Sequence, residues 1–241
     1  MKINIYNLYF RYLFNKIIIA SIFISFMILN IILIFTIRNS KQYPDYLYNS
    51  LIIHQNYINI SYLIINIFNI IIITLISIIY NIKANNFDIL FISRLKKTKI
   101  YITKLINTIF IILIISLIEF LNINLIGLLF YKEFVIELID IMNLFQIFMS
   151  MLLFYLISML FTLLINNIII PLLFMFILIS FRILINNIEK IQKISIKILP
   201  IINYKGNIYD QTGTFLSLIW IFLLIILTFL VYNIKDLKYF Y

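Results

Sequence analysis

Cysteine is missing from this chain of 241 residues, which excludes disulfides and thiolate metal sites. Its absence says nothing of the redox compartment. Glycine and proline occur three times each and tryptophan once. No Pro-, Gly- or Ser-rich linker divides the chain, and no GxxxxGK[ST] phosphate-binding run occurs in it. Histidine is represented by His54 alone, with no His/Glu cluster or nucleophile elbow around it, so no catalytic residue and no metal ligand set is assigned. Charge is scarce as well: 12% of residues are Asp, Glu, Lys or Arg, about half of what a soluble domain carries. The rare residues have G/C-rich codons and the abundant Ile, Asn, Lys, Tyr and Phe have A/T-rich ones. The expected source is therefore an AT-rich genome, and the lack of small-residue packing motifs such as GxxxG carries no weight.

What remains is apolar. Hydrophobic residues make up 64% of the chain and the mean hydropathy is +1.12, values of an integral membrane protein. A helix needs about 20 apolar residues to cross about 30 Å of hydrocarbon. Six segments qualify: 17–37, 57–82, 105–131, 141–165, 168–185 and 215–234. The fourth and fifth are read as a hairpin, since between Ile141 and Phe181 only Asn166, Asn167 and Pro171 mark a turn. The first run is too long for a signal-peptide core and is followed by no small-residue cleavage site. The expected fold is all-α, one transmembrane domain over 1–241 with six spanning helices.

The net charge of +10 lies in short loops beside these runs, where it serves as a topology signal and a contact for anionic lipid; nucleic acid is not an expected partner. With the N-terminus in the cytoplasm, eleven Lys and Arg fall inside and eight outside. The positive-inside bias then predicts both termini in the cytoplasm.

Three segments have the pattern of helices lying on the membrane. Over residues 1–16, Asn4, Asn7, Arg11 and Asn15 recur at steps of three and four among Ile, Tyr, Leu and Phe, an interfacial helix pattern; a plain charged flank is the other reading. Within 186–214, Lys190, Lys193 and Lys197 share one face, Ile188, Ile191, Ile194 and Ile198 share most of the opposite one, and Pro200 limits continuation. A short helix at the outer interface is expected there, against a solvated basic loop. The segment 83–104 is the third. Its first half is apolar apart from Asp88, and its second half carries Arg94, Lys96, Lys97, Lys99 and Lys104. An apolar helix face flanked by charge fits a groove on a partner protein. A helical extension of the following span, with lysines snorkelling to headgroups, fits equally.

Six spans, an N-terminal in-plane helix, a basic loop between spans two and three and a short helix between spans five and six together resemble the type 2 permease subunits of ATP-binding-cassette transporters. In that family the loop commonly runs from an acidic residue through a Leu-rich stretch and Ser to a Lys that opens span three. Here "FDILFISRLKKTKIYITKL" offers Asp88, the run Ile89 to Ile92, Ser93, Lys99, Ile100 and then Lys104 and Leu105. The usual Gly before the run and the Pro after Ser are missing; Asn85 and Asn86 stand at the former position. The topological likeness covers the whole chain and the motif about twenty residues.

The resemblance implies that 1–16 is an elbow helix and that the loop holds a coupling helix docking into a separate ATP-binding-cassette ATPase subunit. Its contact residues would be Phe87, Asp88, Leu90, Phe91 and Arg94. It also implies a second permease subunit, identical or a sister chain, and ATP hydrolysis on the partner, with no cofactor on this chain. The function implied is export of an amphiphilic cargo (peptide, lipid or hydrophobic drug) across the cytoplasmic membrane of a bacterium.

Glu119 is the one acid deep in a span, and an ionisable group there is a functional candidate by default. Glu119 and Arg182 are each 14 residues from the inner ends of their spans, about 21 Å in at 1.5 Å per residue. They are expected to face each other between spans three and five, either orienting a charged part of the cargo or forming a structural salt bridge. Asn30, Asn66, Asn69, Asn107, Asn122 and Asn124 are expected to hydrogen-bond between helices. A single Glu makes no proton relay, and no polar stripe marks a channel-lining span. The competing function is a non-catalytic accessory subunit of a larger membrane complex, for example respiratory, which needs no chemistry on this chain.

Overall fold

The computed structural model describes residues 11, 19–20, 22–24, 26–28, 30–31, 71–73, 76–77, 88, 96–131, 138–165, 169–170, 173–174, 177 and 211–234. All of these but Lys96 are helical. Three long helices dominate: α1 is Lys97–Tyr131, α2 is Leu138–Ile165 and α3 is Gln211–Ile234. No proline falls within any of them, so no backbone donor is lost and no ring clash breaks the ladder. Ile and Phe are middling helix formers in water, but in hydrocarbon the helix is the one local structure that satisfies every N–H and C=O.

Each of the three contains a stretch long and apolar enough to cross a membrane. The chain is thus an all-helical membrane protein in the part described. The bounds of α2 and α3 lie within a few residues of the expected 141–165 and 215–234. For α1 the difference is larger, since the helix begins at Lys97 and not at 105. The last eight residues of the segment 83–104 are therefore the first two turns of a spanning helix.

Burial shows how the three are arranged. In α2 the six consecutive residues Met151 to Tyr155 and Leu156 are all buried, and consecutive burial uses every face of a helix, so α2 is the central element. α3 buries Ile221, Leu224, Thr228 and Tyr232, at steps of three and four, and exposes Phe215, Phe222 and Leu230. That is one inward stripe on a peripheral helix. α1 turns Tyr101, Lys104, Thr108, Ile112, Ile115 and Glu119 inward and leaves Ile106, Phe110, Leu113 and Leu117 outside. Outward-facing Ile, Leu and Phe in such number suit hydrocarbon as the surrounding solvent.

Phe26, Ile72, Ile73 and Ile76 join this core from the earlier part of the chain. Two side-chain hydrogen bonds tie the same part to the long helices. Asn122 donates to the amide oxygen of Asn30, and Ser158 donates to Ser77 at 2.9 Å. The expectation that asparagines join helices holds for Asn30 and Asn122.

Candidate functional site: a buried charged junction

The N-terminal turns of α1 and the C-terminal turns of α3 meet, which makes the two helices antiparallel. Their macrodipoles oppose each other favourably. Lys97 Nζ donates to the carbonyl of Asn233 in the last turn of α3, at 3.4 Å. A lysine on a C-terminal carbonyl meets the negative end of the helix dipole. At its own N-terminus α1 has the opposite problem: Lys97 and Lys99 stand in its first turn with no acid beside them, so basic charge adds to the positive dipole end.

Asp88 brings negative charge to Lys104, in the second turn of α1. Its carboxylate is fully buried and forms an ion pair with Lys104, 16 positions along the chain, whose side chain is buried to the same degree. Tyr232 of α3 donates its hydroxyl to the same Oδ2, at 3.2 Å. The ammonium of Lys104 lies 5.7 Å from the centroid of the Tyr232 ring, within the range of a cation–π contact. One carboxylate oxygen thus receives an ammonium and a phenol, the two donors coming from different helices. In a dry interior such charge-assisted bonds are strong, and each partner left alone is costly.

A second layer sits beside the first. Tyr101 shares a 2.7 Å hydrogen bond with Thr228 and donates to the Ile225 carbonyl at 3.1 Å. Its ring lies 5.5 Å from that of Tyr232 and meets Phe229 edge-on at 5.4 Å, the geometry that aromatic quadrupoles favour. Two turns further along α1, Thr108 hydrogen-bonds the Tyr155 hydroxyl of α2 at 3.2 Å. Past this layer the inward face of α1 becomes apolar at Ile111, Ile112 and Ile115 before polarity returns at Ser116, Glu119 and Asn122. The polar groups of α1 therefore form two clusters separated by isoleucine, not a continuous stripe.

Of the residues singled out from the sequence, Asp88 is brought together with Lys104, the two acidic and basic positions that bracket the loop motif. Asp88 points into the protein. Glu119 is also fully buried, away from the outer face marked by Leu117, Ile118 and Leu121. Phe87, Leu90, Phe91, Arg94 and Arg182 lie outside the described residues, as do His54 and nearly all of the expected elbow and outer-loop helices. Arg11, the one described residue of the elbow segment, is helical and exposed. Tyr101, Tyr155, Thr228 and Tyr232 were not foreseen. A hydroxyl at 228 and again at 232 on an otherwise Ile/Leu/Phe helix is an i, i+4 signal of an inward face, but with 17 tyrosines in the chain it is faint.

Among the described residues no three His, Cys, Asp or Glu side chains gather as a metal site would require. Compared with protein-family models, curated proteins and solved structures, the chain matches none.

Proposed function

We propose that this chain is the membrane-spanning permease subunit of an ATP-driven exporter. It would work by alternating access with a second permease subunit, and draw its energy from a separate ATP-binding-cassette ATPase. In this reading six helices cross the cytoplasmic membrane of an AT-rich bacterium with both termini inside. Residues 1–16 form the elbow, and the segment ending at Lys104 is the cytoplasmic coupling loop. The cargo is amphiphilic: a peptide, a lipid or a hydrophobic drug.

The observation that supports this reading most is the junction of Asp88, Lys104 and Tyr232. A segment that merely joins two spans has no need of a buried ion pair to fix its position. One that receives force from a partner does, because a loose loop absorbs displacement. The role of Asp88 within the reading changes accordingly: its carboxylate is occupied inside the protein, so it anchors the loop, and contact with the ATPase falls to Phe87, Leu90, Phe91 and Arg94.

The test is purification of the tagged chain in mild detergent followed by mass spectrometry. A stoichiometric partner with a GxxxxGK[ST] ATPase sequence is the expected result. A set of membrane-complex subunits without such an ATPase would replace the permease by an accessory helix bundle.

A further inference from the structure

Asp88 is held from two sides. Lys104, in the second turn of α1, and Tyr232, in the last turns of α3, both donate to its Oδ2. With the Lys104 ammonium also over the Tyr232 ring, the three groups close a triangle between one residue ahead of α1 and the ends of two helices. The polypeptide links position 88 to the start of α1 at Lys97 across nine positions. To α3 it is linked only across 144 positions of sequence.

We infer that Tyr232 is a positioning residue: through Asp88 it ties the C-terminal end of α3 to the segment preceding α1, so that a displacement of that segment reaches two spanning helices at once. The purpose of such a tie rests on the coupling-loop reading above. The tie itself does not, and is tested separately.

Chemistry and geometry both favour the tie. The shared oxygen makes the two bonds charge-assisted, and their burial removes competition from water. Rotation of α3 about its axis would carry the phenol away from Oδ2, so the bond fixes the rotation of the helix as well as its depth. The neighbouring bond of Tyr101 to Thr228 also joins α1 to α3, but it leaves residue 88 untouched. It provides the control.

Because the chain has no cysteine, two introduced cysteines can be spin-labelled without background. The pair is Ile89→Cys, next to Asp88, and Ile234→Cys, at the end of α3, where 80% of the side chain is exposed. Pulsed electron paramagnetic resonance on the full chain in lipid nanodiscs, with any copurifying partner retained, gives the distance distribution. The expected result is one narrow distribution, widened about twofold by Tyr232→Phe, which removes a charge-assisted bond while keeping the ring. Asp88→Asn, which removes the charge and keeps an acceptor, widens it too, and Thr228→Val leaves it unchanged. A merely structural role for Tyr232 predicts that Tyr232→Phe and Thr228→Val act alike. Equal widening by these two, or an unchanged width in both Tyr232→Phe and Asp88→Asn, overturns the inference. Absence of a copurifying ATPase would instead remove the coupling-loop reading and leave the distance result to decide the tie.

Discussion

Replacing Lys104 by Met keeps the length of the side chain and removes its charge. In the native protein the pair with Asp88 is enclosed, with side-chain exposures of 1% and 0%, so no water can take over from the lost ammonium. Asp88 would retain the Tyr232 hydroxyl at 3.2 Å and lose the ammonium. Breaking a buried pair by removing one partner costs about 3–5 kcal/mol, because the remaining charge is stranded. At about 2–4 °C per kcal/mol for a chain of this size, the melting temperature of the purified protein should fall by about 6–20 °C. Asp88→Leu should cost a similar amount by stranding the ammonium. The combined Asp88→Leu, Lys104→Met variant strands neither charge, though it takes the acceptor from the buried Tyr232 hydroxyl, and should lie within about 1–3 kcal/mol of the native protein. The cycle then gives a coupling energy of several kcal/mol of the kind that only contacting residues show. Thermal unfolding in detergent, followed by a fluorescent thiol-independent probe or by light scattering, measures all four corners. Two single variants that each cost less than about 1 kcal/mol and add in the double would refute the burial of the pair and the argument built on it.

Tyr101→Phe removes two hydrogen bonds to α3 while sparing the edge-on contact with Phe229; it should cost about 1–2 kcal/mol, and combining it with Thr228→Val should add little, as a thermal-melt cycle would show. Asn122→Leu takes the Asn122 donor from the amide oxygen of Asn30 and should lower stability by about 0.6–2 kcal/mol, the range for polar contacts between spanning helices, with part of that loss recovered in the double variant Asn30→Leu, Asn122→Leu. Exchanging the charges, Asp88→Lys with Lys104→Asp, preserves the Coulomb attraction but points the Tyr232 hydroxyl at an ammonium; the melt should fall well below that of the native protein, and a full rescue would mean that attraction alone sets the junction. Phe91→Asp and Arg94→Glu should each prevent recovery of the ATPase subunit or uncouple transport while membrane insertion, scored by protease protection, stays intact, and normal assembly and transport in both would remove the coupling assignment.

The apolar runs were legible because the bilayer imposes one length and one secondary structure, so α2 and α3 could be bounded from hydropathy alone. The start of α1 could not. Lys97, Lys99 and Lys104 read as charges that must leave the hydrocarbon, which put the boundary at 105. In the folded chain Lys97 is taken up by the Asn233 carbonyl and Lys104 by Asp88. Asn233 lies 136 positions away, beyond any window of 11–18 residues, and Asp88, though only 16 positions from Lys104, reads as a loop acid with nothing in the periodicity to mark the pair. The same limit hid Tyr232, whose hydroxyl has meaning only opposite Asp88. Glu119 was legible for the reverse reason: a lone acid in a spanning helix must turn inward whatever its partner is.

Stability alone does not account for an ion pair in such a place. Two apolar side chains of similar volume, such as Ile and Phe, would hold the same space at equal or lower free energy. What Ile and Phe cannot do is distinguish one rotation of a helix from another. Apart from Thr228 and Tyr232, the described inward stripe of α3 is Ile221 and Leu224, and apolar contacts of that kind are non-directional. A hydroxyl that must reach one carboxylate oxygen, and an ammonium that must reach the same oxygen from α1, permit a single register. The buried junction therefore supplies orientation to helices whose apolar surfaces cannot supply it. It does so where the first turns of α1 and the last turns of α3 meet at Asp88.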